Sequence, residues 1–240
     1  MLDWFNGLKE ALYACLIAEN RWQMYLEGLG NTLLIAVCAV VIGVVIGFIV
    51  AIVKYYAAIN KRFWLLGKIC DLYTTVIRGT PVLIQLLIIY TVVFATLSDG
   101  LLAAIVAFGF NSGAYVAEIV RAGIFSIDKG QTEAGRSLGL NKTQTMFSIV
   151  LPQAVKNILP ALFNEFIVLL KETSVAGYIA IQDLTKAADL IKGRLFYSTP
   201  LFIAAAIYLV MVIGLTSVQK RMERRLRQSD RCLLYTSRCV

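Results

Sequence analysis

From Leu29 to Val53 the chain carries no charged side chain. Coiled as a helix, that stretch is roughly 37 Å long, more than the bilayer's hydrocarbon core of about 30 Å. Lipid offers no water to backbone N–H and C=O groups, so such a run has to satisfy them internally, as a helix does. Pro81 to Leu97, Leu101 to Phe125 and Leu201 to Val218 repeat the pattern, and Ile149 to Leu170 is a further run interrupted by polar residues. These runs predict an all-α integral membrane protein of about five transmembrane helices. The second span has two open starts. Thr80 and Pro81 read as an N-cap and first helical position, while Phe63 to Ile77 is also largely apolar and could continue the helix through a proline kink.

Charged residues make up 16% of the chain and the mean hydropathy is +0.74, whereas soluble domains carry roughly 25% charge. The formal charge of +8 would suit nucleic acid if the basic residues lined one soluble face; here they alternate with apolar runs and flank a membrane. An odd number of spans puts the termini on opposite sides. Lys54, Lys61, Arg62, Lys68, Arg121, Lys129, Arg136, Lys142 and the basic residues from Lys220 to Arg238 then share one side, and the other keeps Lys9, Arg21, Lys171, Lys186, Lys192 and Arg194. The richer side is cytoplasmic by the positive-inside rule, so the N-terminus is expected outside and the C-terminus inside. We read residues 1–26 as an external or interfacial segment, 27–220 as one membrane domain, and 221–240 as a basic cytoplasmic tail. The first segment lacks a basic head and a small-residue cleavage site, so no removable signal is expected. The last ten residues, "RCLLYTSRCV", receive no function. Five scattered cysteines and no histidine give a disulfide framework or a metal site little support.

Between the third and fourth spans lies a polar segment, about 126–145, which runs into the fourth span within "EAGRSLGLNKTQTMFSIVLP", residues 133–152. Asp128 with Gln131 resembles a capping box, Ala134 and Leu138 share a helix face, and Gly139 can supply the left-handed residue that stops a short helix. Asn141 with Gln144 then starts a helix that enters the membrane at Ile149. The residue pattern leaves two readings open: an amphipathic loop resting on lipid, or a short helix gripped by a soluble partner.

The segment resembles the cytoplasmic loop of the permease subunits of ATP-binding-cassette importers, whose pattern E-A-A-x3-G-x9-I-x-L-P is matched by Glu133, Ala134, Gly139, Ile149, Leu151 and Pro152. Gly135 departs from the second alanine; a glycine fits the same groove but costs about 1 kcal/mol of helix propensity, so the helix is expected to lean more on its partner. "RGTPVLIQ" (Arg78 to Gln85), "NSGAYVAEIVRAGI" (Asn111 to Ile124), "LPALFNEFIVLLKETS" (Leu159 to Ser174) and "DLTKAADLI" (Asp183 to Ile191) are similar to the polar amino-acid permeases of that family. The resemblance implies a bacterial inner-membrane protein that pairs with a second permease subunit, identical or a sister chain. It further implies an external solute-binding protein and a cytoplasmic ATPase that docks on Ala134, Gly135 and Gly139. No G-x4-G-K-[ST] phosphate loop occurs in the chain, so ATP and Mg are expected on the ATPase, and no cofactor or catalytic residue here.

Ionisable and amide side chains within spans face the bundle interior or a pathway, because exposing them to lipid costs a few kcal/mol. Glu165 is the leading candidate for a substrate path, with Asn111, Ser112, Tyr115 and Asn164; Arg78 joins them only if the second span starts early. Asn157 shares the helix of Glu165, and each amide has packing between helices as its plainer role. Glu118 and Arg121 read as a structural ion pair. Gly43/Gly47 and Gly109/Gly113 permit close helix approach, within or between subunits, and Pro152 and Pro160 are expected to kink the fourth span. The function expected is ATP-driven import of polar amino acids. Two alternatives are an ion-coupled secondary transporter, against which the lack of a visible internal repeat argues, and a membrane scaffold that transports nothing.

Overall fold

The computed structural model describes residues 2–96 and 100–236. Among them the chain is helical, with no strand. Helix α1 (Leu2–Leu16) turns through a short corner into α2 (Trp22–Ile59). At the corner the buried Arg21 guanidinium donates to the Ala14 carbonyl at 2.7 Å and pairs with Glu19 at 2.9 Å. There follow α3 (Trp64–Gly79), α4 (Val82–Ile88) with a π-helical continuation to Val93, and α5 (Gly100–Phe125). Then come α6 (Lys129–Ser137), α7 (Lys142–Thr145), a π-helical turn over Met146–Val150, and α8 (Leu151–Glu172). A 3-10 segment (Thr173–Ile179), α9 (Leu184–Leu195) and α10 (Thr199–Thr236) complete it.

The core is a close pair of parallel helices. Buried positions on α2 recur at Thr32, Ile35, Ala36, Ala39, Gly43, Gly47 and Val50, one stripe of a 3.6-residue period. A Cβ on Gly43 would lie 2.7 Å from the Ser112 side chain, and one on Gly47 2.5 Å from Val116. Gly109 and Gly113 of α5 meet Ile42 and Ile46 in return. Residue numbers rise together on the two sides, so α2 and α5 run the same way, and all four glycines serve this intrachain contact. The outward face of α2, from Leu26 through Val37, Val41, Val45 and Ile52, is exposed and apolar, as lipid contact requires.

Parallel neighbours need a return crossing, and the second span supplies it in broken form. The early start is present in broken form, and the cap of the later one falls at Pro81 rather than Thr80. Residues 61–79 are helical, but the helix stops at Gly79, and 82–93 leaves at a bend of 109°. Pro81 lacks an N–H and its ring disfavours the helical region at Thr80, which is extended. Thr80 therefore caps nothing ahead of it; its hydroxyl donates back to the Val76 carbonyl at 2.9 Å. Pro81, also extended, holds the cap position. The 82–93 segment is about 18 Å long and cannot cross alone. With this bent pair counted as one, the described residues hold up to five spans. The expected end of this span at Leu97 and the last residues, 237–240, lie outside the described residues.

Both prolines expected to kink the fourth span fall within it. The stretch from Lys142 to Ile179 forms one span. Pro152 sits in the first turn of α8, directly after the π-helical turn. The wider turn makes room where the ring would strike the carbonyl four residues back. Pro160 is inside α8, and its carbonyl accepts from Gln219 Nε2 on α10 at 3.2 Å, tying the two helices.

Candidate functional site

Two regions concentrate polar chemistry: the α6–α7 loop and the interior where α3, α4, α5 and α8 meet. In the loop, α6 ends in a full Schellman motif. Gly139 N–H donates to the Arg136 carbonyl at 3.0 Å and Leu140 N–H to the Gly135 carbonyl at 3.2 Å, with Gly139 at φ +84°. The reciprocal capping box lies at Asn141 and Gln144, both bonds 2.9 Å. At Asp128 it does not form, because the carboxylate accepts from Gly130 N–H at 2.6 Å instead.

This geometry sorts the loop residues. Glu133, Ala134 and Gly139 are exposed, and Leu138 is 81% exposed on the same face as Ala134. Gly135 faces the other way and is buried: a Cβ there would lie 2.7 Å from Thr145 Cγ2 and 2.8 Å from Ile149 Cδ1. The glycine that breaks the alanine pattern thus lets α6 lie directly on the α7 segment of its own chain. Ile149 sits beneath it, Leu151 is half-buried, and Pro152 is exposed.

In the interior, Gln85, which is not among the expected site residues, holds the centre. Its Nε2 is within hydrogen-bond distance of the carbonyls of Ile77 (2.7 Å) and Thr80 (3.0 Å) and the Thr80 hydroxyl (2.8 Å). Its Oε1 accepts from Asn111 Nδ2 on α5 at 3.0 Å. One side chain thereby ties the break in the second span to α5. Its signal was a lone amide in the apolar run "PVLIQLLIIY". Asn111, 2% exposed, is held in this clamp.

Glu165 is buried, and the buried Ser112 hydroxyl lies in reach of its carboxyl without making a hydrogen bond of ordinary geometry. Arg78, at the end of α3, lies with its guanidinium 5.6 Å from the Tyr115 ring centroid and 3.8 Å from the Glu118 carboxylate. Glu118 also accepts from Arg121 Nε at 2.8 Å, so the expected ion pair forms and extends to Arg78. Asn164 is exposed, turned away from Glu165, and Asn157 donates to Ser126 at 2.8 Å. The structure thus brings Arg78 to Tyr115 and Ser112 to Glu165, while Asn164 joins neither pair.

Beyond the end of α8 from this interior, Asp183 is fully buried and caps α9, accepting from Thr185 N–H at 2.9 Å and Lys186 N–H at 3.1 Å. Burial pushes its carboxyl above the ordinary 3.8, and the backbone donors pull the other way. Gly28 of α2 packs on its backbone, and Thr32 accepts from Leu184 N–H at 3.2 Å.

A family described as the binding-protein-dependent transport system inner membrane component matches residues 43–228. The chain is 42% identical over 209 residues to the arginine transport system permease protein ArtQ of Bacillus subtilis, covering 85% of this chain and 93% of that one. It is 38% identical over 205 residues to a putative glutamine transport system permease protein GlnP of Rickettsia typhi, covering 84% and 92%. Among solved structures, a crystal structure of an amino acid ABC transporter with histidines is similar at TM-score 0.79 and 42% identity, covering 85% of this chain and 94% of that chain.

Proposed function

The chain belongs to the family of binding-protein-dependent transport system inner membrane components, and we propose that it is the membrane subunit of an ATP-driven importer of polar amino acids. Relatives named for arginine and glutamine transport, and the structure with histidines, support that substrate class. Two such subunits, identical or paired with a sister chain, form the pathway; ATP and Mg are handled by a separate cytoplasmic ATPase, and an external solute-binding protein delivers the amino acid. Transport is then a population shift, in which the ATPase binds one membrane conformation better than the other.

The observation that carries the reading is the pose of α6. Ala134 and Leu138 face outward as a grip, while Gly135 seats the helix on Thr145 and Ile149, which lead without a gap into α8 and Glu165. A pull on α6 is delivered to the helix that carries the buried carboxylate. Glu165 offers a counter-charge to a cationic side chain, and Arg78 offers one to the amino acid's carboxylate.

The test is uptake into sealed vesicles holding the chain with its ATPase and binding protein, across a panel of amino acids. Uptake should require ATP on the side of the α6 loop, and a cross-linker at Ala134→Cys should capture the ATPase. Uptake sustained by an ion gradient without the ATPase would overturn the reading.

A further inference from the structure

We propose that α10 carries an anionic-phospholipid contact, in which Lys220, Arg221, Arg224 and Arg225 hold lipid phosphates at the membrane edge. Along α10, Phe202, Ala206, Leu209, Ile213, Ser217, Lys220 and Arg224 are all exposed. Their spacing of three and four residues places them in one unbroken row on a single helix face. Val210, Arg221 and Arg225 widen that row on one side. The opposite face is the packed one: Ala204 is buried among α9 side chains, and Gln219 reaches Pro160 of α8. The face that turns apolar side chains outward therefore becomes basic without turning away, and what covers its upper part continues over its lower part.

Depth agrees. The apolar run ends at Val218, and Lys220 to Arg225 follow at about 3–10 Å along the axis. The headgroup layer occupies roughly 5–7 Å on each side of the hydrocarbon core. Long Lys and Arg stems extend back toward that layer while their charged ends meet phosphate. Among the described residues, no carboxylate pairs with any of the four, although the ion pairs elsewhere in the chain engage Arg21, Lys54, Arg78, Arg121 and Lys186. Juxtamembrane clusters of this size attract anionic lipid, each charge adding to the affinity. The surface is distinct from the α6 loop, and its occupant is lipid.

The experiment is native mass spectrometry of the purified complex with its ATPase, titrated with phosphatidylglycerol or phosphatidylcholine. Phosphatidylglycerol should bind the complex about tenfold or more tightly than phosphatidylcholine. The K220Q/R221Q/R224Q/R225Q variant should lose that preference, and R221K/R224K/R225K should keep it. Because the quadruple variant removes charges that orient the chain, the unmodified complex is also titrated in high salt, where the preference should shrink. Equal binding of the two lipids, or a preference untouched by the substitutions and by salt, overturns the proposal. So does loss of ATPase from the quadruple variant with its lipid preference intact, which would assign the row to a protein partner.

Discussion

Replacing Gln85 by leucine keeps the volume at the bend and removes every hydrogen bond the Gln85 side chain makes there. The amide of Asn111, 2% exposed, loses its acceptor at 3.0 Å, and the carbonyls of Ile77 and Thr80 lose a donor at 2.7 and 3.0 Å. Leaving a buried polar group unsatisfied costs about 1–3 kcal/mol in water-soluble proteins, whereas interhelical bonds in membranes average about 0.6 and reach about 1.7. With two helices released from one side chain, the membrane figures give about 1–3 kcal/mol for Gln85→Leu. For a chain of this length that lowers the thermal midpoint by roughly 3–10 °C. The discriminating assay is a double-mutant cycle with Asn111→Leu, read by thermal unfolding of the detergent-solubilised protein. If the two amides act as one clamp, the double variant is less destabilised than the sum of the singles, with a coupling of about 0.5–1.5 kcal/mol. Additive effects within about 0.3 kcal/mol would refute the clamp and leave the bend to Pro81 alone.

Gly139→Val places a β-branched residue at φ +84°; the Schellman stop should fail and ATP-driven uptake fall by about tenfold or more at unchanged membrane insertion, measured by vesicle uptake and immunoblot. Gly47→Leu, whose Cβ would lie 2.5 Å from Val116 and 2.9 Å from the Ala117 nitrogen, should lower the thermal midpoint, while Gly30→Leu, with nothing within 4 Å, should not. At Asp183 the folded carboxyl is raised by burial, so its contribution is fully present below the unfolded value of 3.8 and is lost as pH rises through the folded value. Thermal midpoints across that window should decline for the unsubstituted protein, and Asp183→Asn should flatten the decline.

Several of these features could be read directly and others could not, for a physical reason. Gly139 was legible because a positive φ is a local demand that one residue type meets at little cost. The long uncharged run in α2 was legible because lipid imposes helicity on any such stretch. The break in the second span was not. Pro81 shows where a helix must stop, but the direction of departure is set by Gln85 reaching Asn111, residues 26 apart in sequence. The roles of the glycines were half-visible: G-x3-G promises close approach, yet which helix approaches is a tertiary fact, here α5 beside α2. Asn164 and Glu165 adjoin in sequence but, about 100° apart on a helix, only Glu165 turns inward.

Gly135 unites the loop and the span in a way neither segment implies alone. Between α6 and Glu165 lies the π-helical turn over Met146–Val150, a geometry whose single turns recur at functional sites. Were α6 joined to α8 only through the chain, that turn could give and a pull on α6 would be partly absorbed there. Gly135 instead contacts Thr145, just before the turn, and Ile149, within it. The same bare backbone surface therefore braces the turn from its start to its fourth residue. An alanine there would force a shift, since its Cβ would lie 2.7 Å from Thr145 Cγ2 and 2.8 Å from Ile149 Cδ1. On the proposed reading, the lost helix propensity of about 1 kcal/mol is the cost of a contact that ties the exposed loop to the helix of the buried carboxylate.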